Sequence, residues 1–332
     1  MSRIVIIGGG PGGYEAALVA AQLGADVTLV EADGPGGACV LTDCVPSKTF
    51  IASSEVMTGY RHNERFGIRS SGLDGVTVDA VAVNERVKKL ALAHSGDIQT
   101  KLVKAGVDVV LGRARLGEDR LGHTHQVLIT PADGEEYAVE ATTVLIATGA
   151  TPRVLPTARP DGDRILDWRQ VYDLTELPSH LVVIGSGVTG AEFASAYLAM
   201  GVQVTLVSSR ERVMPHEDAD AAMAIERVFR DRGMTILSQA RGKSVVNTGD
   251  GVQVTLGDGR VIEASHALIA VGAVPNTAEL GLAEYGVAVG DGGYVTVDRV
   301  SRTNVPGIYA AGDCTGVLPL ASVAAMQGRI AI

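Results

Sequence analysis

The stretch RIVIIGGGPGGYEAALVAAQLGADVTLVE, residues 3–31, decides how the chain begins to fold. A short apolar run leads through a glycine-rich turn into a helix of small residues, and a second apolar run follows and ends at Glu31. In such a unit the first glycine permits a tight turn, the second lets the backbone approach a pyrophosphate, and the third lets the helix pack closely. The pattern predicts a Rossmann-like domain that holds a dinucleotide at Gly8, Gly10 and Gly13, with Glu31 accepting hydrogen bonds from a ribose.

The same pattern returns in LVVIGSGVTGAEFASAYLAMGVQVTLV, residues 181–207. Its three glycines stand at the same spacing, as Gly185, Gly187 and Gly190. A second repeat agrees with the first, because VLIATGATP at residues 144–152 matches ALIAVGAVP at residues 267–275. Repetition on this scale predicts an α/β fold with two Rossmann-like domains and therefore two bound nucleotides.

The second unit departs from the first at the end of its second strand. Ser208 stands where the first unit has Glu31, and Arg210 follows two residues later. An acid at this place repels a ribose 2′-phosphate, whereas an arginine attracts one. We therefore expect NADP(H) rather than NAD(H) at Ser208 and Arg210. The alternative interpretation is that Arg210 and Arg212 are solvated loop charges.

Composition excludes several classes of protein. Hydrophobic residues make up 46% of the 332-residue chain and charged residues 20%, which is typical of a globular protein. The net charge is −10 and no run of Lys and Arg is present, so nucleic acid is not an expected partner. No stretch reaches about 18 uninterrupted apolar residues, so no membrane span is expected. With only three cysteines, the chain is expected in a reducing cytoplasm.

Two of those cysteines lie in GGACVLTDCVPSK, residues 36–48. Cys39 and Cys44 can bond only if the backbone folds back locally, because a disulfide needs Cα atoms about 4.4–6.8 Å apart. Pro46 fits the first turn of a helix, so Cys44 is expected near a helix N-terminus, where a thiolate is favoured. We interpret the pair as redox-active. The alternatives are two inert thiols or half of a metal site, but no Cys and His cluster completes four ligands, so no metal is expected.

The remaining segments predict simpler structure. Residues 81–105 show the helical spacing of a buried apolar face, and residues 107–143 carry the turn signals of a small antiparallel meander. Prolines after residue 151 mark a connecting segment that leads to the second unit. Residues 304–313 predict a strand that ends on a glycine turn and Asp313.

Together these motifs resemble those of the class I flavoprotein disulfide reductases, and the resemblance covers essentially the whole chain. It rests on five motifs in the family's order: GGGPGG, GGACVLTDCVPSK, VLIATGATP, GSGVTGAE and GIYAAGD. The resemblance implies an FAD domain that is interrupted by an NAD(P)H domain. The implied segments are residues 1–152 for the first part of the FAD domain, with the cysteine pair, 153–280 for the NAD(P)H domain, and 281–332 for the second part of the FAD domain.

The resemblance also implies a role for each site residue. The residues expected to bind FAD are Gly8, Gly10, Gly13, Glu31 and, at the ribityl chain, Asp313. The residues expected to bind the nicotinamide nucleotide are Gly185, Gly187, Gly190, Ser208 and Arg210. Cys44 would be the thiol that contacts the flavin, and Cys39 the thiol that exchanges with substrate. Lys48 and Glu192 resemble the pair placed beside the flavin N5 edge, whereas Glu15, at the same offset in the first unit, is expected to be structural.

Two departures from the family pattern concern single residues. Val188 stands where glutathione reductases carry an aromatic gate, so the lipoamide dehydrogenase side of the family is closer. The segment between the cysteines is VLTD instead of LNVG, which puts Asp43 beside Cys44. A carboxylate about 6 Å from a thiolate opposes it by roughly 1.4–2.8 kcal/mol, whereas a helix N-terminus favours it by only about 0.3–1 kcal/mol. We therefore expect Cys44 to be a poorer thiolate than in typical members.

A third departure concerns the C-terminus. The sequence stops at Ile332, where family members continue into an interface domain that builds the dimer and lends a His–Glu acid pair to the partner's active site. We expect this chain to lack the family's stable dimer, and a longer form to be a homodimer or a higher oligomer. The histidines, including His123 and His125, lie outside the family's catalytic motifs and are expected at surface or strand positions.

The resemblance leads to a mechanism in which hydride passes from NAD(P)H to the flavin and electrons then go to a small-molecule acceptor. Reduction of a disulfide needs a good thiolate and a general acid, whereas reduction of a quinone needs only access to the flavin. We therefore expect an FAD-dependent NAD(P)H oxidoreductase that reduces a quinone. The alternatives are a dihydrolipoyl dehydrogenase that works through Cys39 and Cys44, and a non-catalytic FAD-binding fragment.

Overall fold

The computed structural model describes residues 2–62, 76–121 and 124–332; His123 lies outside this part, so its expected position stays a prediction. The chain forms two compact units. The first unit consists of Met1–Cys44, Ala91–Thr151 and Ala273–Ile332. The second unit consists of Val45–Leu90 and Pro152–Gly272. Each unit contains one Rossmann-like sheet with its own glycine loop, as the repeated pattern predicts.

The helices and strands follow one another in the order expected for repeated α/β units. The elements of the N-terminal half are β1 Arg3–Ile7, α1 Pro11–Gln22, β2 Asp26–Glu31, α2 Gly37–Leu41, α3 Cys44–His62, α4 Ala80–Lys104, β3 Asp108–Leu121, β4 Thr124–Pro131, β5 Tyr137–Ala141, β6 Thr143–Ile146 and β7 Ala150–Pro152. The elements that follow are β8 Ile165–Asp167, β9 His180–Ile184, α5 Val188–Ala199, β10 Gln203–Val207, α6 Ala219–Asp231, β11 Thr235–Leu237, β12 Gly242–Asn247, β13 Val252–Leu256, β14 Val261–Ala264, β15 His266–Ile269, β16 Ala273–Pro275, β17 Ile308–Ala310 and α7 Ala321–Ala331.

The first unit is built on a sheet of the order β17-β6-β1-β2-β3-β4-β5. β1 lies between β2 and β6 and pairs with both in parallel, so its apolar run is buried on both faces. β3 pairs with β2 in parallel and then continues into antiparallel pairing with β4, which pairs with β5. The predicted meander over residues 107–143 is therefore present in the described residues and extends the parallel sheet.

The second unit is built on a parallel sheet of the order β11-β10-β9-β15-β8, beside an antiparallel sheet of β12, β13 and β14. The proline-marked connecting segment contains β8, which the sequence analysis missed. β8 has only three residues and pairs in parallel with β15 at the edge of the sheet. A strand this short carries too few residues to show a hydrophobic period.

The helix predicted over residues 81–105 is confirmed as α4, which spans Ala80–Lys104. Val87 is buried in the core of the second unit, and Leu102 is buried in a core of the first unit. Residues 45–90 belong to the second unit because Phe50 packs there against Tyr172, Phe193 and Tyr197. The sequence-based division keeps residues 45–90 with the first segment, and its assignment of segments to the two nucleotides stays a prediction.

Across the described parts of the chain, no helix combines the length and the apolar character that crossing a membrane requires.

Candidate functional site

The first glycine loop has a backbone that only glycine permits at two positions. Gly8 has a φ of +105°, and a Cβ there would overlap the carbonyl of Ala147. A Cβ on Gly13 would overlap the carbonyl of Gly8, so helix α1 starts directly against the end of β1. Gly10 differs, because its φ is −68° and a Cβ would meet nothing within 4 Å. The backbone at Gly10 therefore leaves open space at the N-terminus of α1, where a pyrophosphate would lie.

Glu31, at the end of β2, is buried and binds the backbone of this loop. One carboxylate oxygen accepts a hydrogen bond from the backbone N–H of Gly9, and the other accepts one from the N–H of Asp33 at 2.9 Å. Each carboxylate oxygen has a second lone pair, so both remain able to accept a further hydrogen bond. The position of Glu31 thus fits the predicted contact with a ribose.

A second pair of glycines packs against the same loop and positions the cysteines. The N–H of Gly36 donates to the carbonyl of Gly9 at 2.8 Å, and a Cβ on Gly37 would lie 2.9 Å from the Cα of Gly10. Helix α2 begins immediately after this contact and carries Cys39 in its middle. The sequence GGACV therefore places Cys39 close to the glycine loop.

Cys39 and Cys44 lie side by side, although α2 ends and α3 begins between them. The N–H groups of Thr42 and Asp43 both donate to the carbonyl of Ala38, at 3.0 and 2.8 Å, and this turn brings the two thiols within hydrogen-bond contact. Cys44 is the first residue of α3, as predicted. The local fold therefore supplies the backward turn that a disulfide between these cysteines requires.

The charges around the pair disfavour a thiolate at Cys39. The hydrogen bond with Cys44 and burial raise the pKa of the Cys39 thiol well above its ordinary range, and the negative charges of Asp43 and Asp313 add to this effect. Asp43 was expected to act on its sequence neighbour Cys44, and that effect stays a prediction; in the fold its charge acts on Cys39.

Asp313 follows β17 and begins a 3₁₀ turn, Asp313–Thr315. Burial raises the pKa of its carboxyl group. The preceding residue, Gly312, has a φ of +82° and donates its N–H to the Gln327 side-chain oxygen on α7 at 2.8 Å. Sequence reasoning missed Gln327, because nothing in the pattern links it to a turn 15 residues earlier.

Cys314, next to Asp313, is fully buried and lies apart from the dithiol chemistry. Its thiol donates to the carbonyl groups of Ile146 and Ala311 at 3.5 and 3.3 Å. Burial raises the pKa of Cys314 to about 11, so the thiol is protonated at neutral pH.

The second glycine loop repeats the geometry of the first almost angle for angle. Gly185 has a φ of +113°, and a Cβ there would overlap the carbonyl of Ala270. A Cβ on Gly190 would overlap the carbonyl of Gly185, and Gly187 has a φ of −69° with nothing within 4 Å of a Cβ. The loop leaves the same open space at the N-terminus of α5.

The end of β10 differs from the end of β2. Ser208 is completely buried, and its hydroxyl lies 2.7 Å from that of Ser186. The N–H of Arg210 donates to the Ser208 hydroxyl at 3.1 Å, and the Arg210 side chain is exposed. The side chain of Ser208 is therefore enclosed by protein, whereas Ser209, Arg210 and Glu211 are exposed. The sequence analysis missed Ser186, which occupies the place of Gly9.

Lys48 and Glu192 form an ion pair within the second unit. The Lys48 ammonium lies 2.8 and 2.9 Å from the two carboxylate oxygens of Glu192, although 144 residues separate them. The equivalent acid of the first unit, Glu15, pairs with Arg329 of α7 at 2.6 Å. The two acids therefore occupy the same offset and serve two different partners.

His125 lies in β4, as expected for a strand position, but it is buried instead of exposed at the surface. Its Nδ1 atom lies 2.9 Å from the Tyr285 hydroxyl. Among the residues that the structure describes, no group of three or more Asp, Glu, His and Cys side chains could hold a metal ion.

A family model confirms what the two loops and the cysteine pair suggest. The model of the pyridine nucleotide-disulphide oxidoreductases matches residues 2–328. The chain belongs to this family. Its members are oxidoreductases, and the two Rossmann-like units with their antiparallel sheets are the fold expected of a pyridine nucleotide-disulphide oxidoreductase.

Relatives within the pyridine nucleotide-disulphide oxidoreductases match along the whole chain. A protein of Mycobacterium tuberculosis named NAD(P)H dehydrogenase (quinone) is 55% identical, over 100% of this chain and 68% of the relative. A dihydrolipoyl dehydrogenase of Zymomonas mobilis is 36% identical, over 99% of this chain and 69% of the relative. The crystal structure of LpdA from Mycobacterium tuberculosis superposes with a TM-score of 0.94 at 55% identity, covering 100% of this chain and 72% of that chain.

Proposed function

We propose that this protein is an FAD-dependent NAD(P)H oxidoreductase that passes electrons to a quinone. The observation that carries the proposal is the 55% identity, along the entire chain, to a protein named NAD(P)H dehydrogenase (quinone). In the proposed reaction NAD(P)H loses two electrons as a hydride, and the quinone gains those two electrons with two protons, one of which comes from solvent.

FAD fits the first unit, because the open space at Gly10 is a cradle that any Cβ would narrow. We assign the ADP half to the loop of Gly8, Gly10 and Gly13, with Glu31 at the ribose and Asp313 at the ribityl chain. When bound, FAD would supply the group that accepts hydride from NAD(P)H and passes electrons to the acceptor. The protein's part is to hold that group and to orient it.

The nicotinamide nucleotide fits the second unit for the same geometric reason. Gly187 leaves open space at the N-terminus of α5, and Gly185 and Gly190 bring the helix against β9. We propose that the second unit binds NADPH more tightly than NADH. Position 208 carries a serine instead of a carboxylate, and the guanidinium of Arg210, two residues later, is exposed.

The ion pair of Lys48 and Glu192 is assigned to the hydride-transfer step. The side chain of Glu192 is about one-quarter exposed, and it fixes the ammonium of Lys48, whose side chain is more than half exposed. A fixed cation contributes electrostatic stabilisation without reorganising during the reaction. We therefore propose that Glu192 positions Lys48 and that Lys48 is the group that acts.

The acceptor is assigned from the dithiol chemistry. Exchange with a disulfide substrate needs the Cys39 thiolate, and contact with Cys44, burial and two carboxylates all raise the pKa of that thiol. Reduction of a quinone places no sulfur on the path. The proposed acceptor is therefore a small-molecule quinone, in a reducing cytoplasm where the chain's few cysteines serve no structural disulfide.

The second candidate is dihydrolipoyl dehydrogenase activity. It is favoured by the contact between Cys39 and Cys44, which is the arrangement that disulfide exchange requires. In that reaction the two thiols would cycle between dithiol and disulfide, and the substrate disulfide would take up two electrons and two protons.

Turnover of Cys39→Ser separates the two candidates. With NADPH and a soluble benzoquinone, we expect the variant to retain most of the parent's rate, because Cys39 does not lie on that path. Lipoamide reduction should be negligible in the parent and in the variant. Robust lipoamide turnover that is lost in Cys39→Ser would instead establish the dihydrolipoyl dehydrogenase candidate, and a chain that binds flavin but turns over neither acceptor would contradict both.

Asp43→Gly provides a matched measurement of the charge effect. Removing the carboxylate should lower the pKa of Cys39, because a nearby negative charge disfavours the thiolate. The rate of iodoacetamide alkylation against pH reports that pKa directly. An alkylation profile unchanged by Asp43→Gly would show that Asp43 does not limit the dithiol route.

A further inference from the structure

Two segments run side by side at the carboxyl edge of the second unit's parallel sheet. The segments follow β10 and β11, and their backbones continue to pair after both strands have ended. The N–H of Ala240 donates to the carbonyl of Ser208 at 2.8 Å, and the N–H of Gln239 donates to the carbonyl of Arg210 at 2.9 Å. Ligands of open α/β sheets bind at this edge.

Arg241 lies at this edge between two residues whose positions the contacts fix. Ala240 pairs with Ser208, and a Cβ on Gly242 would lie 3.1 Å from the Ile184 side chain at the end of β9. Arg241 is two residues beyond Gln239, which pairs with Arg210, so two long side chains from the two segments can reach one ligand. The carbonyl of Arg241 accepts a hydrogen bond from the N–H of Gly257 at 2.8 Å. The backbone of Arg241 is therefore held on both sides, while its side chain is exposed.

Both guanidinium groups are available to a ligand. Within the described part of the chain, neither Arg210 nor Arg241 donates a side-chain hydrogen bond or forms an ion pair. Two other arginines of the unit are occupied, since Arg230 pairs with Glu226 and Arg260 pairs with Asp258.

The charge of the pair of segments matches that of a phosphate monoester. Arg210, Glu211 and Arg212 together carry one net positive charge, and Arg241 adds a second. A phosphate monoester carries about −1.5 to −2 at pH 7. Guanidinium groups bind such an anion with two parallel hydrogen bonds, which makes two arginines from different segments an effective clamp.

We infer that Arg241, together with Arg210, binds the phosphate monoester on the adenosine ribose of NADPH. The inference rests on the proposed function, since it assumes that the second unit binds the nicotinamide nucleotide. It adds Arg241, from the segment after β11, to the nucleotide site. Neither the glycine motif nor the position of Arg210 after β10 predicts a role for Arg241.

Calorimetric titration of the complete chain with adenosine 2′,5′-bisphosphate and with adenosine 5′-monophosphate tests this inference without requiring turnover. Arg241→Gln should weaken binding of the bisphosphate about tenfold, equal to about 1.4 kcal/mol, and leave binding of the monophosphate unchanged. Arg241→Lys keeps the charge and should recover part of the loss. Because the side chain is exposed, neither substitution should alter the thermal midpoint.

Arg232→Gln is the matched control. Arg232 is also exposed and follows α6, just before the amino end of β11, so its removal changes the net charge equally at the opposite edge of the sheet. The control should bind both ligands as the parent does. An equal loss in Arg232→Gln and Arg241→Gln, or no loss in Arg241→Gln, would overturn the role of Arg241 while leaving the nucleotide assignment intact. A parent chain that binds neither ligand would contradict that assignment, and with it the inference.

Discussion

The two glycine loops share one backbone and end in different side chains. Their first glycines have φ values of +105° and +113°, and their second glycines have φ values of −68° and −69°. At the end of the following strand, Glu31 accepts from two backbone N–H groups, whereas Ser208 bonds to a second hydroxyl. The two loops therefore share one backbone geometry for holding a dinucleotide. The residue at the end of the following strand, Glu31 or Ser208, is what differs between the two units.

The acids on the two helices show the same division. Glu15 and Glu192 occupy the same offset and have similar exposure, at 22% and 27%. Glu15 ties α1 to α7 through Arg329, whereas Glu192 fixes the ammonium of Lys48. A duplicated backbone position has thus acquired a structural use in one unit and, in our proposal, a chemical use in the other.

The largest effect is expected when the third glycine of either loop is replaced. Gly13→Ala and Gly190→Ala each put a Cβ onto a carbonyl oxygen, which should cost about 1–3 kcal/mol of overpacking. We expect Gly13→Ala to lose FAD, and Gly190→Ala to keep FAD but lose reduction by NADPH. Flavin absorbance after gel filtration and anaerobic titration with NADPH measure the two outcomes.

Gly96→Ala and Gly59→Ala are matched controls, one for each unit. Both glycines lie within helices where a Cβ meets nothing within 4 Å, so alanine should be neutral or stabilising. Loss of FAD in Gly190→Ala, with Gly13→Ala unaffected, would reverse our assignment of the two units.

The next test concerns the two strand ends. Glu31→Ala removes a carboxylate that accepts from two N–H groups, so unfolding free energy should fall by about 1.5–3 kcal/mol per charged hydrogen bond lost. Ser208→Ala removes a neutral hydroxyl contact and should cost only about 0.5–1.5 kcal/mol. Urea unfolding of both variants provides the comparison, and equal losses would show that the two strand ends are equivalent in stability.

A smaller effect should separate the two helix acids. Both ion pairs are partly exposed, so Glu15→Gln and Glu192→Gln should each cost at most about 1 kcal/mol of stability. The rate of flavin reduction by NADPH should fall about tenfold in Glu192→Gln, equal to about 1.4 kcal/mol of barrier, and stay unchanged in Glu15→Gln. Stopped-flow absorbance measures that rate. A slower reduction in Glu15→Gln alone would transfer the chemical role to the first unit.

The smallest effect concerns pH and the second unit alone. Burial lowers the pKa of His180 and His266 below the ordinary value of 6.5. As pH falls, these two histidines are therefore protonated in the unfolded chain at a higher pH than in the folded chain. Their contribution to folding stability is complete above pH 6.5 and declines below it. We expect the thermal midpoint to drop slightly between pH 7 and 5, and less so in His180→Asn/His266→Asn. An identical slope in that variant would assign the decline to other groups.

The sequence was sufficient to predict a residue's position wherever the local backbone conformation requires that residue type. Gly8 and Gly185 could be identified because a φ above +100° excludes side chains, and Cys44 could be placed because proline marks the start of a helix. The two Rossmann-like units followed from the repeated pattern of strand, glycine loop, helix and strand.

What the sequence could not supply is contact between distant segments. Lys48 meets Glu192 across 144 residues, and only the family resemblance paired them. Gln327 reaches the turn before Asp313, and Ser186 reaches Ser208, without any periodic signal. The effect of the Asp43 charge was predicted for its chain neighbour Cys44, whereas the turn between α2 and α3 brings that charge close to Cys39.

Cys314 gives the first unit a built-in reporter. Its thiol is completely buried within the 3₁₀ turn that follows β17, so alkylating reagents reach it only when that turn opens. Burial also raises its pKa to about 11, which slows alkylation further. Its labelling rate, followed by mass spectrometry, therefore measures the frequency of local opening at the segment assigned to FAD. Bound FAD should slow that labelling, so the same thiol records cofactor occupancy without any optical signal.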